Sequence, residues 1–103
     1  MKKTDRDLLP LGKEEVKKQI KTLKGWEYKD NKISKTFQFA DFTNAVKFVD
    51  GLVNFCNKID HHPDIFISYS KVKFELTRFD IGGKVTKRDL TVAKKIEENF
   101  SKE

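Results

Sequence analysis

The strongest constraint on this chain is the order in which its apolar periodicity changes. From Phe42 to Cys56, apolar side chains recur at helical spacing as Phe42, Ala45, Val46, Val49, Leu52, Val53 and Cys56, and Asp41 stands before them as an N-cap. On either side the period falls to two. Ile33, Lys35, Phe37 and Phe39 alternate with Ser34, Thr36 and Gln38. Further on, Ile65, Ile67 and Tyr69 form one alternating run and Val72, Phe74 and Leu76 a second. Alternation of this kind marks strands with one buried face. The first run pairs with an extended stretch opened by Trp26 and Tyr28, through a turn at Asp30-Asn31. The later two runs meet at a polar step, Ser70-Lys71.

A helix is expected at each end. Glu14 to Leu23 sets Val16, Ile20 and Leu23 on one face, carries two glutamates in its first turn, and stops at Gly25. After a Gly82-Gly83 loop, Thr86 and Asp89 form a capping box ahead of Leu90, Ala93, Ile96 and Phe100. The expected fold is therefore α+β: a four-stranded antiparallel sheet with three helices packed on one face, in the order α-β-β-α-β-β-α. The second helix is expected to be the most buried. A chain of 103 residues has room for one core, so residues 1–103 are read as a single domain. An open sheet edge in so small a domain invites pairing with another copy.

Composition narrows the function. MKKTDRDLL is charged and leads into no apolar stretch of signal-peptide or membrane-spanning length, so a cytoplasmic protein is expected. One cysteine, Cys56, excludes an intrachain disulfide framework and reads as a buried small hydrophobe. The net charge is +6, yet the lysines are spread along the whole chain without a basic stripe interleaved with aromatics. That pattern is a solvated Lys/Glu surface, and nucleic acid is not expected as a partner.

What remains is the pair His61-His62 in the string IDHHPDIFISY, where a helix gives way to a strand. Pro63 restricts His62 to extended backbone angles and so fixes how the rings leave the chain. Asp60 and Asp64 flank the pair and are placed to orient a ring. Three readings stand beside each other: an incidental pair, an acid–base site, or a metal site. Against metal, there is no third histidine, and two neighbouring rings are hard to aim at one ion.

The landmarks Leu23-Lys24-Gly25-Trp26, Phe39 to Phe48, HHPD at His61 to Asp64, then Tyr69, Val72, Leu76, Gly82-Gly83 and Thr86 to Asp89 give the chain a specific likeness. It resembles the pterin-4a-carbinolamine dehydratases over nearly its whole length. The resemblance implies a four-stranded antiparallel sheet backed by three helices, dimers joined through their sheets, and often tetramers. It implies dehydration of 4a-hydroxytetrahydropterin to quinonoid dihydropterin, without metal or cofactor. His61 and His62 are then the catalytic residues. Asp60, Pro63, Thr77, Arg78 and Phe79 join them in holding the pterin, with Asp60 as the expected orienter. Some members of the family also serve as dimerisation cofactors for transcription factors, which leaves a pterin-binding or protein-interaction module as the alternative.

Two positions depart from the family pattern. Where active members usually carry a third histidine after a Ser/Thr-Thr pair, this chain reads Thr77-Arg78-Phe79. Phe79 cannot move a proton, although it can stack on a flat pterin, and Arg78 can hydrogen-bond its oxygen. The acidic residue usually found four positions before the first histidine is Asn57. The expectation is a dehydratase of reduced rate.

Overall fold

A computed structural model of the chain describes residues 7–78 and 82–102. Its elements are α1 (Lys13–Ile20), β1 (Glu27–Lys29), β2 (Lys32–Gln38), α2 (Phe42–Asp50), α3 (Val53–Ile59), β3 (Asp64–Ser68), β4 (Lys71–Leu76) and α4 (Lys87–Phe100). The four strands form one antiparallel sheet in the order β1-β2-β4-β3. The α+β class and the antiparallel sheet are as the sequence implies.

Turn chemistry sets the strand ends. Asp30 and Asn31 both hold positive φ, the mirror-image hairpin turn that Asn and Asp tolerate. The second hairpin turns one residue earlier than expected: Tyr69 holds φ 53° and leaves the strand alternation for the turn. α1 is also shorter than the Glu14 to Leu23 pattern. It ends at Ile20, and Thr22 and Leu23 continue in turns bonded to Gln19 and Ile20 before Gly25 at φ 89°.

The register of the central pair explains the core. Ile33 lies opposite Leu76 and Phe37 opposite Val72, so with Phe74 the inward residues of β2 and β4 form an apolar floor, interrupted at half-buried Lys35 opposite Phe74, whose ammonium turns to Glu97. Helices cover it with Ala45 and Phe48 from α2, Leu52 and Cys56 from the next turns, and Leu90, Ala93 and Ile96 from α4. Phe37 is the hub, with Trp26, Phe48, Phe74 and Phe100 at ring-centroid distances of 6.2, 6.1, 5.8 and 4.8 Å.

The expected second helix is divided in two. At Gly51-Leu52 the bonding tightens, with Leu52 donating to Val49 at 3.0 Å, before Cys56 resumes the α-helical pattern by donating to Leu52. The apolar stripe of this helix pair is wider than one sheet face covers. Ala45, Phe48, Leu52 and Cys56 are buried, whereas Phe42 is 53% exposed and Val46 and Val53 are exposed as well. The most buried helix is instead α4, which hides Arg88, Asp89, Leu90, Val92, Ala93 and Ile96. On the edge strand β3, Ile65, Phe66 and Ile67 are all exposed, because a single chain covers neither face of that edge fully.

Candidate active site

The site begins with the way α3 ends. Asp60 takes a left-handed conformation (φ 54°, ψ 51°), Asp60 N–H donates to the Asn57 carbonyl, and His61 N–H reaches back to the Cys56 carbonyl at 3.1 Å. These two bonds reverse the chain in a Schellman-type cap, so the backbone leaves the helix at a set angle. Pro63 then leads it into β3. The result is a histidine pair held from both sides, with its rings sent to different elements.

His61 turns inward and is 9% exposed. Its Nε2 hydrogen-bonds Asp89 Oδ1 at the start of α4. Asp89 is fully buried, and its other oxygen accepts from the Thr86 N–H at 2.8 Å and from the Thr86 hydroxyl at 3.1 Å. The capping box thus serves two ends at once: Oδ2 closes the helix and Oδ1 holds the ring. His62 turns outward, and its Nε2 lies 2.8 Å from Asn57 Oδ1, one turn back along α3. His62 and Asn57 line a cleft of about 140 Å³ with Val53, Cys56, Pro63 and Ile65. Burial raises the Cys56 thiol above its ordinary pKa. A larger cavity of about 360 Å³ lies between α1 and α4, around Glu15, Gln19 and Lys94, and has no histidine in its lining.

The remaining expected residues make their bonds elsewhere than to the two rings. Asp60 is exposed at the helix cap, and the groups bonded to the two rings are Asp89 and Asn57 rather than Asp60. The β3–β4 pairing ends at Asp64 opposite Glu75, two residues short of Thr77 and three short of Arg78, and Arg78 forms an isolated bridge with Lys84. Thr77 donates to the Asn31 carbonyl at 2.8 Å, and Arg78 donates to the Leu8 carbonyl at 2.6 Å. Phe79 lies outside the described residues. Beside Asp89, Arg88 is buried. It donates to Asp7 at 3.0 and 2.7 Å and to the Ile59 carbonyl at 3.0 Å, fastening the residues ahead of the histidines to α4 and to the N-terminal segment.

Sequence reasoning took Asp89 only as a helix cap and Asn57 only as a lost acid. The signal for Asp89 was present: a capping-box carboxylate uses one oxygen on its own helix and has a second to offer. Nothing in the local pattern joins it to a histidine 28 positions earlier.

Fold and site together define a small α+β protein that presents two imidazoles at a helix-to-strand junction, one on a buried carboxylate and one on an amide. A family model described as pterin 4 alpha carbinolamine dehydratase matches residues 9–99. A Sulfolobus acidocaldarius protein provisionally named pterin-4-alpha-carbinolamine dehydratase is 39% identical, over 85% of this chain and 96% of that one. A Nostoc punctiforme protein with the same provisional name is 45% identical, over 84% and 91%. Among solved structures, a transcriptional coactivator/pterin dehydratase from Brucella melitensis superposes with a TM-score of 0.82 at 29% identity, covering 88% of this chain and 98% of that one. The protein belongs to the pterin-4a-carbinolamine dehydratase family. A pterin dehydratase-like protein identified as a RuBisCO assembly factor in the alpha-carboxysome shares the fold at 19% identity, with a TM-score of 0.57 and coverage of 72% and 84%. No helix among the described residues is long and apolar enough to cross a membrane.

Proposed function

We propose that this protein dehydrates 4a-hydroxytetrahydropterin to quinonoid dihydropterin and water, in the recycling of tetrahydrobiopterin, by histidine acid–base catalysis without metal or cofactor. The observation that carries this reading is the bond between His61 and the buried Asp89. A carboxylate behind an imidazole fixes its orientation and compensates the charge it gains with a second proton. Dehydration requires just such groups. One proton must reach the departing hydroxyl as the C4a–O bond breaks, and another must leave the ring nitrogen as the C=N bond forms. Each transfer assisted by a placed side chain is worth roughly 10²–10⁴-fold.

In this reading His61 and His62 move the protons, and Asp60, Pro63, Thr77, Arg78 and Phe79 join them in binding the pterin. The whole chain, 1–103, acts as one cytoplasmic domain. With Phe79 in place of a third histidine, the rate is below that of three-histidine members. The working particle is a homodimer or homotetramer, a reading supported by the exposed apolar side chains of Phe42, Val46, Val53, Ile65, Phe66 and Ile67.

The same surface favours one alternative: a weakly active or inactive member that binds a pterin or another protein, as the coactivator in the name of the Brucella relative suggests. Both readings meet in one experiment. The rate of dehydration of freshly generated 4a-hydroxytetrahydrobiopterin is followed by absorbance for the wild type, His61→Ala, His62→Ala and Phe79→His, with the uncatalysed rate as control. The enzyme reading expects acceleration that falls in both alanine variants and rises in Phe79→His. A wild type no faster than the control leaves the binding module.

A further inference from the structure

Each histidine uses the same ring nitrogen on its protein partner. Nε2 of His61 meets Asp89 and Nε2 of His62 meets Asn57. Among the described residues, neither Nδ1 has a hydrogen-bond partner, and no buried side-chain nitrogen or oxygen lacks one, so the Nδ1 of His61 opens to solvent. The two partners differ in kind. Asp89 is a carboxylate, whereas Asn57 presents a neutral amide oxygen, which can only accept.

We propose that Asn57 is a positioning residue of this site: its amide oxygen fixes His62 as the Nε2–H tautomer and turns the Nδ1 lone pair toward the substrate as the proton acceptor. The inference rests on the dehydratase reading for its substrate but not for its geometry. Asn57 turns its amide oxygen, not its NH2, to the ring at 2.8 Å; in that orientation an unprotonated Nε2 would set two lone pairs face to face, whereas the flipped amide would donate to a bare Nε2, so the orientation of the amide and the tautomer of the ring go together. Among the described residues, the cleft that the two share supplies no competing acceptor ring or carboxylate. Val53, Pro63 and Ile65 are apolar, and Cys56 is a buried thiol held neutral by its surroundings. In the reaction, Nδ1 takes the proton from the pterin ring nitrogen as the C4a–O bond breaks. The departing hydroxyl leaves as water with a proton from an acid, and the His62 imidazolium so formed gives its extra proton back to solvent. No other reactant is needed.

The departure from an acid at this position therefore leaves His62 with a hydrogen-bond partner. An acceptor oxygen is present at this position, and the charge of an acid is not.

The test reads the ring directly. Imidazole nitrogens of ¹⁵N-labelled wild type, Asn57→Leu and Asn57→Asp are assigned by NMR at alkaline pH, and dehydration is measured on the same samples. The expected wild type shows protonated Nε2 and bare Nδ1 at His62. Asn57→Leu mixes the tautomers and lowers kcat about tenfold with KM little changed, while His61 keeps its wild-type signature. Asn57→Asp, which keeps an acceptor oxygen at the same reach, restores the single tautomer. A wild-type His62 protonated at Nδ1, or an Asn57→Leu ring with the wild-type pattern, overturns the proposal. If the tautomer responds as expected while no sample accelerates dehydration, Asn57 stands as the residue that positions the ring and the dehydratase reading falls.

Discussion

Asp89 holds His61 with one carboxylate oxygen and caps α4 with the other, across 28 residues of sequence and inside the core. A residue with two such duties couples stability to activity. Asp89→Asn retains size but offers one acceptor oxygen where two are used, so one of the two ends is left unsatisfied in a buried place. It is expected to lower unfolding free energy by about 1–3 kcal/mol and the dehydration rate by roughly 10²-fold. Denaturant titration and single-turnover kinetics on the same preparation measure both. A variant that loses stability but retains full rate would separate the cap from the chemistry and sink the role assigned to this pair.

A second carboxylate ties elements together far from the histidines. Glu97 on α4 accepts from Trp26 Nε1 at 2.7 Å and from Lys35 Nζ at 2.6 Å, and the same ammonium donates to the Lys24 carbonyl at 2.8 Å. Lys35 also lies 4.7 Å from the centre of the Phe37 ring. Glu97→Ala leaves the indole N–H of buried Trp26 without its acceptor and the Lys35 ammonium with the Lys24 carbonyl but no counter-charge, and is expected to cost about 1–3 kcal/mol. A double-mutant cycle with Lys35→Met should return a coupling of about 0.5–3 kcal/mol. Dehydration by the Glu97 variant, measured below its melting temperature, stays at the wild-type level.

On the opposite face of the sheet, Glu75 pairs with Lys32 at 3.0 Å and Lys73 at 3.3 Å. The Lys32 hydrogen bond, aided by Lys73 and opposed by desolvation, holds its carboxyl below the ordinary value. A carboxyl whose pKa is lower folded than unfolded binds fewer protons in the native state between the two values. Its contribution is therefore complete above the unfolded pKa, about 4.3, and is lost as pH falls through the folded one. The pair lies near solvent, so Glu75→Gln is expected to cost under about 1 kcal/mol at neutral pH. That difference should close on acidification. Unfolding curves of the two proteins across acidic pH measure it, and a gap that persists below both pKa values would assign the cost to packing instead.

Local signals carried the fold further than the site. Alternation placed Ile33, Phe37, Val72, Phe74 and Leu76 on the inner face, and the caps at Asp41 and Thr86 lie where their side chains imply. Periodicity could not show how much of a stripe would be covered, because coverage depends on the partner surface. Phe42, Val46 and Val53 share the pattern of Ala45 and Leu52 yet face outward. The helix division at Gly51-Leu52 left the apolar pattern unbroken and was invisible for the same reason. At the site, adjacency and Pro63 marked the histidines. The partners of the rings come from opposite sides, Asn57 by helical reach and Asp89 by a tertiary contact that no spacing rule encodes.

Asp60 offers a way to separate conformation from chemistry beside the histidines. It holds φ 54° at the end of α3, a left-handed position that Asp and Asn tolerate, that glycine adopts freely, and that a β-branched residue resists. Asp60→Gly is expected to match or exceed wild-type stability by up to about 1 kcal/mol, and Asp60→Val to lose about 1–2 kcal/mol. The carboxylate is tested independently of the backbone by Asp60→Asn, which retains the conformation without the charge. If the carboxylate helps bind the pterin, KM rises alike in Asp60→Asn and Asp60→Gly while kcat stays near wild type, because His61 and His62 keep their anchors. If both variants retain the wild-type KM and only Asp60→Val loses activity, Asp60 acts through the turn that delivers His61 and takes no part in binding.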